Sequence, residues 1–304
     1  MSKVPLIVWA ILLLVFVSMG CVSQAEEKRF EKKFPATPGG TLTLDTDLGS
    51  LAITGTTANE VSVVAEMKGK QRDIDDFNIT ANETKDGVEV KGTLKKKLLG
   101  IFRSSSLDVR FTVQVPQQYN LVLRTSGGSI GVATISGTVK GRTSGGSVSI
   151  RHVEGDAEMT TSGGSVNAEQ GKGRLLMHTS GGSIGVTAQI GDIDVHTSGG
   201  SISLTDVDGR IQASTSGGGV RVTLAGSNKG IHVESSGGNV DIVLPKDVDA
   251  DLDLETSGGH VQSDIPVTVK GKMEESELRG TVNGGGNLIW AHTSGGNVSV
   301  RAKE

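Results

Sequence analysis

Thr125-Ser126-Gly127-Gly128 returns as Thr143-Ser144-Gly145-Gly146, Thr161-Ser162-Gly163-Gly164, Thr179-Ser180-Gly181-Gly182, Thr197-Ser198-Gly199-Gly200 and Thr215-Ser216-Gly217-Gly218. These are six copies spaced eighteen residues apart without insertion. A fixed short period marks a chain that stacks like units, and it outranks any purely local pattern. Aligned on the threonine, the position five residues on reads Ile130, Val148, Val166, Ile184, Ile202 and Val220. The position seven residues on reads Val132, Ile150, Ala168, Val186, Leu204 and Val222. Small or polar residues such as Ser129, Ser149 and Arg151 stand on the other parity, which is the two-residue period of a strand with one buried face. A second strand carries Val139, Ala157, Leu175, Ile193 and Ile211, then Gly141, Met159, Met177, Val195 and Ala213. By the same parity the repeated threonine points inward.

Between the two strands lies another glycine column, Gly137, Gly155, Gly173, Gly191 and Gly209. Each period therefore reads strand, turn, strand, Gly-Gly turn, and the whole predicts an all-β fold, a β-solenoid of stacked eighteen-residue coils. Coils should lie about 4.8 Å apart with like residues in ladders. Propeller blades need about forty residues and four strands each, so the period argues against them. The glycines at the corners are expected to supply the positive φ of a tight reversal. Thr-Ser-Gly-Gly variants at Ser235, Thr256 and Thr293, with a degenerate copy at Asn283 to Asn287, read as further coils in chain order with insertions. The divisions predicted are an export segment 1–20, a tether 21–29, a β-rich N-terminal cap 30–120 and the solenoid 121–304. The cap holds most of the aromatics outside the export segment, with one short helix near Gln71 to Phe77. Trp290 is expected to close the far end.

Lys3 precedes an unbroken apolar run from Leu6 to Val17, too short to span a bilayer and right for the core of an export signal. Ser18-Met19-Gly20 then leads into Cys21, the one cysteine in the chain. This order resembles the lipobox at which bacterial lipoprotein precursors are acylated and cut. Lipidation at Cys21, a plain secretory signal and an uncleaved anchor with an incidental cysteine are the readings open here, and the first is the one carried forward.

The chain has 304 residues, with 30 Lys and Arg against 34 Asp and Glu and a net charge of −4, which gives no general pull toward nucleic acid. A lone cysteine excludes an internal disulfide and a cysteine-rich zinc site. His178 and His196 occupy one outward column in adjacent coils, and that column continues as Arg142, Thr160 and Ser214. Two imidazoles with no third ligand are not a metal site. Asp192, Asp194, Asp206, Asp208, Glu154 and Asp156 are read as solvated acids rather than a catalytic group. Asp247, Asp249, Asp251 and Asp253 are read as an outward strand face. The basic, apolar stretch Lys95 to Arg103 reads as a loop. No aromatic residue occurs between Tyr119 and Trp290, so the faces lack the rings that sugar platforms and single-stranded nucleic-acid grooves employ.

The entrance through Gly39-Gly40-Thr41-Leu42-Thr43-Leu44 and Leu48-Gly49-Ser50-Leu51-Ala52-Ile53-Thr54-Gly55, the strand end Val115-Pro116 and the serial Thr-Ser-Gly-Gly turns are similar to the bacterial candidate-adhesin family of unknown function. The resemblance implies an extracytoplasmic β-solenoid without established catalytic residues, cofactor or metal. The sequence-level expectation is a non-enzymatic protein of the cell envelope, held to a membrane by its lipid. It would present Ser/Thr-rich ladders to an envelope polymer or protein and not to nucleic acid. A carbohydrate-active solenoid enzyme and an envelope-stress partner are the alternatives.

Overall fold

The computed structural model describes residues 26–95, 107–271 and 274–303. Cys21, the export segment and most of the Lys95 to Arg103 stretch lie outside the described residues. Two long sheets of thirteen and fourteen strands face each other across one continuous apolar core. In the regular region each coil places one strand in each sheet, parallel and in register with the coils before and after it. Val148 pairs with both Ile130 and Val166, and Ile193 with both Leu175 and Ile211. The inward columns are buried to within a few per cent of complete. The chain is a β-solenoid.

The Thr-Ser-Gly-Gly corner has a cause different from the one its glycines suggest. None of the twelve glycines in the six regular corners takes a left-handed φ. The threonine is buried, and its Oγ1 reaches across the gap between coils. Thr161 Oγ1 donates to the Gly146 carbonyl at 2.7 Å and accepts the Gly164 N–H at 3.4 Å. Thr143, Thr179, Thr197 and Thr215 repeat both bonds. The hydroxyls thus bond to backbone and not to one another. The second glycine of each corner must be glycine for lack of room. A Cβ on Gly146, Gly164, Gly182, Gly200 or Gly218 would stand 2.1–2.3 Å from the carbonyl oxygen of its counterpart one coil below, and one on Gly128 would stand 1.9 Å from the Gly49 oxygen. Left-handed backbone occurs at the opposite corner, at Gly155, Gly173 and Gly191 and, three residues before each glycine of that column, at Thr134, His152, Gln170, Ala188 and Asp206. Those five side-chain-bearing residues share the eighteen-residue spacing, yet their dissimilar identities hide the turn they make.

Stacking extends into the segment before residue 121, and there it departs from chain order. Thr41–Thr46 and Ser50–Thr56 form a coil beneath the one bearing Thr125, with Thr46 opposite Thr125. Gly87–Leu94 and Asp108–Pro116 make the next coil outward. Beyond these the strands turn antiparallel. Phe77–Thr84 closes one sheet, while Glu60–Gly69 and then Glu26–Pro35 close the other. The helix is Gln71–Asp75, with Ile74 tucked into the core. Residues 26–29, expected in the tether, belong to this outermost strand. A strand with one free edge needs only backbone pairing, and charges on both its faces discourage further addition, so no periodicity betrays it in Glu26-Glu27-Lys28-Arg29-Phe30.

The far end holds a larger correction. The coil Leu288–Thr293 with Val298–Ala302 does not follow the coil bearing Thr256. It sits between that coil and the one bearing Ser235, with Thr293 facing Ser235 on one side and Thr256 on the other. The chain skips one level after Leu244, builds Ala250–Thr256 and Val261–Ser263, returns through the antiparallel strand Glu277–Val282, and lays its last described coil into the gap. Asn283 to Asn287 is therefore not a worn coil corner. It is the reversal that reaches the gap, with left-handed φ at Asn283, Gly284 and Gly285. Trp290 does not close the end either, because it sits on an outward position of the inserted strand.

Candidate functional site

Two surfaces set this molecule apart. The first runs along the Gly-Gly corner. Ser126, Ser144, Ser162, Ser180, Ser198, Ser216, Ser236, Ser294 and Ser257 follow one another coil by coil, all exposed. Beside them run the two glycine rows, then a second serine row in which Ser147, Ser165 and Ser183 each accept the backbone N–H of the serine one coil on, at 3.3 Å. The result is a flat strip about 4.8 Å per step, floored by backbone and edged by hydroxyls. It continues through the inserted coil, where Asn297 N–H donates to Asn239 Oδ1 and His260 N–H to Asn297 Oδ1, both at 2.9 Å.

The second surface is the outward face where the inserted coil meets its neighbours. In the regular coils the ladder joins residues eighteen apart; here it joins residues from four separate stretches. One row reads His232, Trp290, Asp253 and Arg279, and the row beside it reads Glu234, His292, Glu255 and Glu277. The His232 imidazole lies parallel to the Trp290 indole with centroids 4.0 Å apart, and the His292 ring stacks on the same indole at 3.8 Å. Two rings that close to one indole cannot share a face, so both faces are covered. His292 Nε2 stands 3.7 Å from Asp253 Oδ1 and 3.8 Å from Glu255 Oε2, out of solvent contact and with no hydrogen-bond partner among the described residues. A cleft of about 250 Å³ opens beside it, lined by Glu234, Glu255, Trp290, His292 and the corner residues Ser235, Ser257, Thr293 and Ser294.

The other singled-out residues stay apart. His178 and His196 do stack, with ring centroids 5.0 Å apart, and His196 Nδ1 is 2.7 Å from Ser214 Oγ. Burial, and secondarily the neighbouring His196, hold the His178 imidazole below its usual value. No group of three His, Cys, Asp or Glu fit to hold a metal occurs among the described residues. Asp192 lies ahead of the strand Ile193–Thr197 and accepts the Arg210 backbone N–H, as Asp156 accepts that of Arg174. Asp206 pairs with Lys303 and Asp208 with Lys229. Of the four alternating aspartates only Asp251 and Asp253 fall on the strand Ala250–Thr256, where they meet Lys270 and Arg279. Corner glycines Gly127, Gly128, Gly145, Gly146, Gly163, Gly164, Gly181, Gly182, Gly199, Gly200, Gly217 and Gly218 all sit in the bends between sheets.

A stacked two-sheet solenoid with serial Gly-Gly corners defines the class, and comparison places the chain within it. The profile of the Toastrack DUF4097 family matches residues 40–301, and the chain belongs to that family. No curated protein matches the chain. Among solved structures, it is similar to a candidate adhesin from Bacteroides fragilis at 12% identity, covering 92% of this chain and 99% of that one, with a TM-score of 0.40. A candidate lipid-binding protein from Parabacteroides distasonis is also 12% identical, with 91% and 97% covered and a TM-score of 0.41. A candidate cell-adhesion protein from Clostridium sporogenes gives 12%, 91% and 100%, with a TM-score of 0.26.

Sequence reasoning missed the Trp290 cluster because it assumed chain order equals stacking order. A signal was present. Gly295-Gly296-Asn297-Val298 matches Gly237-Gly238-Asn239-Val240 better than either matches Gly258-Gly259-His260-Val261, and the best-matched coils are neighbours.

Proposed function

We propose that this is a non-enzymatic, envelope-anchored surface-binding scaffold, adhesin-like in use, whose long serine-edged strip lies against a repetitive polymer or another protein. The observation that carries the reading is the strip itself: nine exposed serines in consecutive coils. Such an array suits multivalent contact, in which many weak identical interactions add. The acids that a carbohydrate-active solenoid would gather are dispersed and mostly engaged with cations or backbone, which favours binding over catalysis. Purified chain should be retained by cell-envelope material. Retention should fall when two whole periods, residues 144–179, are removed in register, and should be unchanged by Asp192→Asn or Asp194→Asn. Absence of retention above background on every envelope fraction overturns the reading.

The anchor in this reading is acylated Cys21, which places the protein outside the cytoplasm on a bacterial membrane. Two or three chains hold stably where one does not, since each buried methylene contributes about 0.8 kcal/mol. Cells fed a fatty-acid analogue should label the wild-type chain and not Cys21→Ala; equal labelling of both rejects the anchor.

A further inference from the structure

We propose that the cleft between Glu234 and Glu255 binds an organic cation carrying N–H donors, an ammonium or a guanidinium group. Going beyond the strip-binding reading, this proposal concerns the outward face beside the strip, which meets it at Ser257 and Ser294. The chemistry of the lining is one-sided. Two carboxylates, four hydroxyl side chains, an imidazole and an indole surround the space, and neither lysine nor arginine does. An anion would meet only like charge. A sugar ring would find no platform, because imidazoles already occupy both faces of Trp290. A cation finds acceptors on two sides. Glu234 and Glu255 lie on either flank of His292, one ladder step away each, so their Cα atoms stand roughly 10 Å apart, with the cleft between them.

Charge bookkeeping on this face points the same way. Several carboxylates on the same sheet have basic partners: Glu158 has Lys140, Asp251 has Lys270, and Asp253 and Glu277 share Arg279. Glu234 has no Lys, Arg or His partner among the described residues, and Glu255 has the His292 ring at 3.8 Å and the more distant charge of Arg279. Two carboxylates that open on one cleft offer acceptors on both of its sides to a cation placed between them. His292, three-quarters buried, adds an independent mark. Its Nε2 is out of solvent contact and has no hydrogen-bond partner among the described residues beside these acids, which leaves a polar group of the chain unsatisfied. The ligand's head would sit against Glu234 and Glu255, with Ser257 and Ser294 supplying hydroxyl acceptors.

Trp290 reports on the site directly. The chain has two tryptophans, so the full chain carrying Trp9→Phe has Trp290 as its one indole. Titration with 1,5-diaminopentane and, separately, with the blocked peptide acetyl-Gly-Lys-Gly-amide should change Trp290 emission saturably. Sodium chloride at equal ionic strength should not. Glu234→Gln together with Glu255→Gln should weaken binding about tenfold or more, while Glu158→Gln on the same sheet should leave it unchanged. Tighter binding of the free diamine assigns the site to a soluble amine, and tighter binding of the peptide assigns it to a protein side chain; either supports the proposal. A response that salt reproduces, one that the double variant retains, or calcium or zinc binding that excludes both amines overturns it. Envelope retention of the double variant is measured in parallel. Retention intact with amine binding lost separates this site from the strip, and retention absent in wild type condemns the strip reading alone.

Discussion

Gly164→Ala is expected to destabilise the stack by about 3 kcal/mol, while Gly163→Ala, one residue away in the same corner, changes stability by less than about 0.5 kcal/mol. A Cβ on Gly164 would lie 2.2 Å from the Gly146 carbonyl oxygen and 2.5 Å from its carbon, whereas one on Gly163 meets nothing closer than 3.6 Å. The offending atoms belong to the backbone of the coil below, and that backbone is pinned by ladder pairing on both sheets. To admit the methyl, two coils must separate by about an ångström, which lengthens every hydrogen bond between them beyond useful range. Neither glycine has a left-handed φ, so conformational freedom predicts no difference between the two substitutions and crowding predicts a large one. Urea denaturation midpoints decide between them. Hydrogen exchange should show the loss confined at first to the coils around Thr161, since each coil contacts only its neighbours. Equal behaviour of the two variants refutes the steric account.

The two glycines also show where the sequence was legible and where it was not. Eighteen-residue recurrence gives the strands, their parity, the inward threonine and the parallel register, because all of these repeat and repetition is visible without coordinates. The reason for a repeated residue is another matter. Gly164 looks like a turn former and is a spacer between carbonyls, a fact that depends on the coil below rather than on its own φ. The left-handed corner at Thr134, His152, Gln170, Ala188 and Asp206 was invisible for the opposite reason: the conformation repeats while the residue type does not. The far end was misread for a topological cause. Local pattern says which segments are coils but not in what order they stack, and the coil holding Trp290 lies between coils that precede it in the chain. Uniqueness follows from that break in order. A regular stack sets each side chain against its own kind or near it, as with Val148 and Val166; the inserted coil sets Trp290 against His232 and Asp253. The candidate site could not be read from the columns because it exists only where the columns are interrupted.

Thr197→Val should cost about 3 kcal/mol, although it exchanges side chains of nearly equal shape, and Thr197→Ser should cost about 1 kcal/mol or less. Thr197 is completely buried. Its hydroxyl donates to the Gly182 carbonyl at 2.7 Å and accepts the Gly200 N–H at 3.3 Å, joining two coils at a corner where the sheet ladders have ended. Valine supplies the methyls and removes the oxygen, taking from a part-buried carbonyl and N–H the side-chain partner they share. Each orphan costs about 1–3 kcal/mol. Serine keeps the oxygen and loses one methyl, worth about 1 kcal/mol when buried. The molecule already contains the serine variant: Ser235 occupies the same column, donating to the Gly218 carbonyl at 2.8 Å and accepting the Gly238 N–H at 3.0 Å. Denaturation midpoints of the two variants against wild type give the comparison. If valine proves as stable as serine, the column is held by hydrophobic burial alone, and the threonine of Thr-Ser-Gly-Gly is not the bridge between coils that its hydrogen bonds describe.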